Sequence, residues 1–151
     1  MRLVVSHSTE IDSWIEERHY LKSVPAGAKL RFWVLDDKGE TIGAMMWGRP
    51  SARLLNNELL LELTRMVFIN DTERFVESRA LSMARKLIRK YMPKIKGLIA
   101  YSSTGQNHEG IIYQADNWFP FGKTTGDKWT RENRHRADID ISPKLRWLRS
   151  P

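Results

Sequence analysis

Apolar positions along this 151-residue chain recur at two spacings, one helical and one alternating. Ile11, Trp14 and Ile15, with Arg18 or His19 next on the same stripe, predict a first helix capped by Ser8 or Thr9 and running to about Tyr20. Ser23-Val24-Pro25-Ala26-Gly27 carries two backbone punctuators and reads as a loop. Leu30 to Leu35 reads as a strand, Asp36-Asp37-Lys38-Gly39 as a turn, and Thr41 to Trp47 as the hairpin partner. Gly48-Arg49-Pro50-Ser51 ends that strand, and a third follows from about Glu58 to Phe68. The strongest helical signal comes next. Val76, Ala80, Met83, Ala84, Leu87, Ile88 and Tyr91 form one apolar stripe, Arg79, Arg85, Lys86, Arg89 and Lys90 fall mostly off it, and Pro93 marks the stop. Gly97 to Tyr101 is a short buried strand, Ser102 to Gly110 a polar loop, and Ile111 to Asn117 a brief helix. The remainder is strand-forming, notably the alternation of Ala137, Ile139 and Ile141 with Arg136, Asp138 and Asp140.

The order helix, three strands, helix, strand, short helix, strand predicts an α/β (α+β) fold: a mixed, mostly antiparallel sheet flanked by helices. With no repeat, low-complexity tract or linker, residues 1–151 read as a single domain.

Composition narrows the chemistry. There are no cysteines, which excludes disulfides, thiolate nucleophiles and cysteine-ligated zinc. No apolar run approaches the roughly 20 residues of a membrane span, and Met1 to Val5 is too short for a signal peptide. A cytoplasmic protein without a membrane partner is the expectation. Twenty-five Lys and Arg against eighteen Asp and Glu give +7, and Lys123 onward holds eight basic and four acidic residues. Such an excess suits a polyanion, since neutralising phosphates releases counterions, and equally suits a solvated surface.

Three segments carry more polar chemistry than a core requires. Arg65 interrupts the apolar strand Leu61 to Phe68, where a guanidinium serves either as a fork for phosphate or carboxylate or as a structural partner of Glu62. The turn Asn70 to Val76 enters the helix at Glu77-Ser78-Arg79, and a helix start attracts anions, although no glycine here eases close approach. Ser78 is a candidate phosphate donor or active-site hydroxyl, or an ordinary first-turn serine. The loop Ser102 to Gly110, with His108 and Glu109, leads to Tyr113 and Gln114, and loops at strand ends are where such sheets place ligands. No HExxH or Walker pattern occurs, and His108-Glu109 lacks a metal-ligand spacing. Trp118, Trp129 and Trp147, in or near basic sequence, fit either the core or base stacking.

The joint occurrence of Leu61-Glu62-Leu63-Thr64-Arg65, Glu77-Ser78-Arg79-Ala80-Leu81-Ser82 and His108-x-Gly110-x-Ile112-Tyr113-Gln114-Ala115-x-Asn117-Trp118 closely resembles the Mom family of phage DNA-modification proteins. His19-Tyr20 ahead of Pro25-Ala26-Gly27, and the strand end Gly48-Arg49, match as well; the likeness runs from about Trp14 to Gly122. The resemblance implies a fold like that of the GNAT acetyltransferases, whose ligand sits where two central strands splay apart. It also implies conversion of the N6 amine of adenine in double-stranded DNA to N6-carbamoylmethyladenine, protecting DNA from restriction nucleases. It places catalytic positions on His19, Tyr20, Arg65, Ser78 and Tyr113, and donor or cofactor contacts on Arg65, Val67, Arg74, Ser78 and Arg79. Substrate or DNA contacts fall on Arg49, His108, Gln114, Asn117, Trp118, Lys123 and Lys128. The group donor is left open between acetyl-coenzyme A and another acyl or aminoacyl compound, and so is a metal ion; a homodimer is compatible. Two positions depart from the family: Ser103 stands where an acidic residue is common, and Asn107 where glycine is common. The competing readings are an N-acetyltransferase acting on a small amine or protein, and a non-catalytic DNA-binding module.

Overall fold

The alternating segments pair into one seven-stranded sheet of order β1-β2-β3-β4-β5-β7-β6 in the computed structural model, which describes residues 1–52, 54–70, 72–103, 110–124 and 143–151. The strands are β1 (Arg2–Val5), β2 (Ala28–Leu35), β3 (Thr41–Gly48), β4 (Leu60–Phe68), β5 (Gly97–Ser103), β6 (Phe119–Thr124) and β7 (Lys144–Arg149). Helix α1 (Glu10–Arg18) follows β1, α2 (Val76–Tyr91) joins β4 to β5, and α3 (Ile111–Ala115) follows β5. Among the described residues only the β4–β5 pairing is parallel, as a helical crossover requires.

Strand alternation sorts the core into two faces. Phe32, Val34, Met45, Trp47, Leu61 and Leu63 pack with Ala80, Leu81, Ala84 and Ile88 of α2. Ala44 and Met46 meet Ile11 and Ile15 of α1 on the opposite face. Each large side chain so buried contributes on the order of 1.5–3 kcal/mol.

Two irregularities shape the middle of the sheet. The first is a bulge: Met46 pairs with Arg65 but Trp47 pairs with Leu63, leaving Thr64 as the extra residue. Its hydroxyl donates to the Met46 carbonyl at 3.0 Å. The extra residue resets the alternation, so Leu61 and Leu63, then Met66 and Phe68, face α2, while Val67 packs toward α1. By the same parity Glu62 and Arg65 lie on the α1 face. The second is a splay. Only Leu60 to Glu62 pair with Gly97 to Ile99, after which β4 and β5 continue unpaired with each other to Phe68 and Ser103.

The structure differs from the sequence expectation at several edges. The first helix stops at Arg18 because His19 is extended, with φ −76° and ψ 144°. Arg2 to Val5, read only for what it could not be, forms the strand beside β2. The strand expected over Gly97 to Tyr101 continues to Ser103, and the helix expected to reach Asn117 ends at Ala115. Tyr91 is 59% exposed rather than part of the α2 stripe, and Leu81 is buried in its stead. Arg85, expected on the solvated side of α2, is drawn inward by Asp116 at the end of α3, with both Arg85 N–H···O distances 2.7–2.8 Å. The alternation over Ala137 to Ile141 lies outside the described residues.

Candidate functional site

The splay between β4 and β5 is where the sheet stops satisfying its own backbone and side chains from both faces can meet. From the α1 face come Arg65, Glu62 and, just beyond α1, His19 and Tyr20. From the other face comes Tyr113 of α3.

Glu62 is buried at the last paired rung and accepts hydrogen bonds from the Ser51 backbone N–H (3.0 Å) and hydroxyl (2.9 Å). Burial pushes its carboxyl above the usual range, against the Ser51 hydrogen bonds and the charges of Arg65 and Lys144. Arg65 donates from Nε to the Ser23 carbonyl (2.8 Å), from Nη1 to the Thr64 carbonyl (2.6 Å), and from Nη2 to the Ser23 hydroxyl (3.4 Å). Three of the five N–H groups of a guanidinium are thereby engaged, one on each nitrogen. The structural partner foreseen for Arg65 is therefore the Ser23 loop, not a direct ion pair with Glu62. Burial lowers the Arg65 pKa, while Tyr20 and Glu62 act in the opposite direction.

His19 is buried, and its ring stacks on Tyr20 at 4.5 Å between centroids and 30° between planes. The Leu21 N–H donates to His19 Nδ1 at 3.2 Å, so neutral His19 carries its proton on Nε2. Tyr20 itself is 41% exposed, and it acts electrostatically on both Arg65 and Tyr113.

Tyr113 stacks on Trp147 (5.8 Å, 27°) and meets Trp118 edge-on (5.4 Å, 64°). Burial pushes its phenol well up, and the neighbouring Tyr20 and Glu62 add to the shift. At neutral pH this hydroxyl is a donor, not a base. Its aromatic wall is fixed from behind. Trp147 Nε1 donates to Ser102 Oγ (2.9 Å) and Trp118 Nε1 to Asp116 Oδ2 (2.8 Å), while Arg85 grips Asp116 and Arg149 Nε donates to the Asp116 carbonyl (3.2 Å). Gly110 caps α3 with φ 76°, and a Cβ there would fall on the Trp147 ring. This explains the glycine of the His-x-Gly motif: it lets α3 lie flat on an indole.

Ser78 belongs to the first turn of α2. It is buried at the start of α2, its hydroxyl donates to the Phe75 carbonyl (3.1 Å), and it lines an open depression of about 380 Å³ between α2 and α3 with Arg74, Phe75, Ile111 and Ile112. Phe75 takes a left-handed conformation (φ 63°) that glycine usually supplies. Among the described residues the backbone N–H groups of Glu77 and Ser78 are donated to no acceptor, while those of Val76 and Arg79 go to Glu73 and Phe75. These groups, with Arg74 and Arg79, fit an anion such as a coenzyme phosphate. Glu73, 3.9 Å from Arg79, and Glu77 in the same wall weaken the attraction.

The other expected contacts distribute unevenly. Arg49, Gln114, Asn117 and Lys123 are exposed. Val67 packs toward α1. Trp118, expected as a substrate contact, is 3% exposed with its N–H committed to Asp116, so it offers no face to a base; Trp147 is core likewise. His108, Trp129 and Lys128 lie outside the described residues. Among the described residues no group of three or more His, Asp or Glu could hold a metal, and no helix is long and apolar enough to cross a membrane. Glu62 and Asp116 were missed by sequence reasoning. An acid inside an apolar strand was the available signal for Glu62; nothing local marks Asp116.

Solved structures similar in fold to this chain include acetyltransferases. The aminoglycoside acetyltransferase AAC(6')-Ib in complex with coenzyme A and kanamycin superposes with a TM-score of 0.68, at 10% identity, over 99% of this chain and 95% of its own. A GNAT-family acetyltransferase from Bacillus anthracis gives 0.60 at 14% identity, over 80% and 65%. At these identities the likeness is of fold. In sequence, the methylcarbamoylase Mom of Escherichia phage Mu is 28% identical over 112 residues, 69% of this chain but 46% of that protein. The chain thus matches less than half the length of that relative. The Mom protein family model aligns with residues 4–147, and the chain belongs to the Mom protein family.

Proposed function

We propose that this protein modifies the N6 amine of adenine in double-stranded DNA, adding a carbamoylmethyl group and so shielding the DNA from restriction nucleases in a host cytoplasm. The single observation that carries the reading is the coincidence of the family's motifs with the β4–β5 splay. Tyr20, Arg65 and Tyr113, together with the buried Glu62, share one electrostatic environment there.

Adenine N6 is a weak nucleophile and is paired in a duplex, so the base must leave the stack. Tyr20, exposed and braced by His19, is suited to receive the flipped ring by stacking. Tyr113, held protonated, is suited to donate a hydrogen bond at the ring edge. The lone pair of His19 Nδ1 is directed to Leu21, which leaves its Nε2–H to orient and not to deprotonate. Glu62, a buried carboxylate whose pKa burial raises, is the better proton acceptor. N6 would attack the methylene carbon of a donor that carries CH2–C(O)NH2 on a leaving group, forming the N–CH2 bond as the bond from that methylene to the leaving group breaks. The leaving group would depart with the bonding electrons and the N6 proton would pass to Glu62. The depression at the start of α2, with Ser78, Arg74 and Arg79, suits the anionic part of such a donor; acetyl-coenzyme A by itself would give N6-acetyladenine, so the donor must also bring the amide nitrogen.

The test is mass analysis of nucleosides from plasmid DNA recovered from cells making the protein. An adenosine heavier by the carbamoylmethyl group is expected. Four unmodified nucleosides beside abundant soluble protein would overturn the reading. Acetyl-coenzyme A turnover in the absence of DNA would favour a small-amine acetyltransferase instead.

A further inference from the structure

The net charge of this chain has an address. Seven of its twenty-five Lys and Arg lie between Arg79 and Lys96, with no Asp or Glu among them. This segment is the densest basic surplus in the chain; the other eighteen equal the eighteen acids in number, with Lys123 onward holding eight basic to four acidic residues and the rest of the chain ten to fourteen. Arg85 is neutralised by Asp116, and the remaining six, Arg79, Lys86, Arg89, Lys90, Lys94 and Lys96, are exposed. Among the described residues Arg79 makes one long contact, 3.9 Å, to Glu73, and no ion pair holds any of the other five.

Helix chemistry explains only part of this. Arg89 and Lys90 sit in the last turn of α2, where cations complement the backbone dipole. That does not account for Arg79 in the first turn, Lys86 in the middle, or Lys94 and Lys96 beyond the end. At 100° per residue Arg79, Lys86 and Lys90 fall on one line, a row roughly 17 Å long at 1.5 Å per residue. Phosphates of one DNA strand advance about 3.4 Å each, so the row spans about five. At the end of this row Tyr91 is 59% exposed, and Leu59, Pro93, Lys94 and Lys96 line an open groove of about 340 Å³ with Glu58 as its one acid.

We propose that the outer face of α2, continued by Lys94 and Lys96, is a docking surface for the phosphate backbone of duplex DNA. It stands across the sheet from Tyr20 and Arg65, so it holds a stretch of duplex other than the one offering its base to the splay, and acts as a tether. The inference rests on DNA being the substrate, but its test is separable from the chemistry. Binding of the full chain to a fluorescently labelled duplex is followed by anisotropy from 50 to 300 mM NaCl, for wild type and for Lys86→Ala/Arg89→Ala/Lys90→Ala, whose substitutions are all on the surface. Loss of three phosphate contacts is expected to weaken binding roughly a hundredfold near 0.1 M salt and to flatten the log–log salt slope by about 2 to 3. An unchanged slope in the folded triple variant overturns the tether. Tighter wild-type binding to duplex RNA or to anionic phosphatidylserine vesicles than to duplex DNA overturns DNA as the occupant. A steep wild-type slope that the triple variant flattens, with no modified adenosine in the nucleoside assay, sustains the tether and sinks the proposed reaction.

Discussion

Removing Arg85 is expected to cost more than any other single change to a charged side chain of α2. The Arg85–Asp116 pair is bidentate, at 2.8 and 2.7 Å, and both side chains are nearly out of water, 11% and 5% exposed. Arg85→Met keeps much of the apolar stem but leaves the Asp116 carboxylate, among the described residues, with the Trp118 indole N–H as its remaining side-chain donor. An orphaned buried charge of this kind costs about 3–5 kcal/mol. At roughly 2–4 °C per kcal/mol for a chain of this size, the melting temperature should fall by about 6–20 °C. Lys86→Met, one residue along and exposed, should move it by no more than about 1–2 °C, since such surface changes stay within about 0.5 kcal/mol. The assay is thermal unfolding by circular dichroism with the Asp116→Leu single variant and the Arg85→Met/Asp116→Leu double variant completing the cycle. The double variant, carrying no unpaired charge, should be more stable than Arg85→Met. A fall for Arg85→Met no larger than for Lys86→Met would refute the claim that this pair clamps α3 to α2, and with it the account of how Tyr113 is held.

Further predictions concern the site. Gly110→Ala must adopt φ 76° and place a methyl against Trp147. Left-handed strain of about 1–2 kcal/mol and overpacking of about 1–3 kcal/mol together predict a clear loss in urea midpoint and of DNA modification. Glu62 has a folded-state pKa above its unfolded one, so ionising it opposes folding. Stability should therefore fall as pH rises from the ordinary carboxylate value through the raised one. Relative to wild type, Glu62→Gln should gain in urea midpoint across that window, and a relative loss would contradict the raised pKa. Tyr20→Ala, at an exposed ring, should leave stability nearly unchanged while lowering the yield of modified adenosine at least tenfold; full yield would remove Tyr20 from substrate binding.

How much of this was legible beforehand follows from locality. The α2 stripe and the β2–β3 hairpin were readable because their periodicity is carried by contiguous residues. β1 was not, because four residues make a strand only against a partner, here β2. The bulge at Thr64 left no mark in composition. Yet it decides that Glu62 and Arg65 share a face, which simple alternation denies. Asp116 looked like any polar residue at a helix end, since its partners Arg85 and Arg149 lie 31 and 33 positions away. Trp118 was misplaced for a related reason. The resemblance counts it among the substrate contacts, while its indole reaches inward to Asp116. Motif resemblance grouped Tyr113, Arg65 and Ser78; in the structure Tyr20 and Glu62 act on both Arg65 and Tyr113, while Ser78 lines the depression between α2 and α3.

The β4–β5 splay as the seat of the reaction is tested most directly by comparing the fraction of modified adenosine in plasmid DNA from cells making wild type, Tyr113→Phe or Arg65→Ala, at matched soluble protein. Each substitution should reduce that fraction to near the level of cells lacking the protein while the purified variants keep the wild-type circular dichroism spectrum. Wild-type levels of modified adenosine from both folded variants would put the chemistry elsewhere on the molecule.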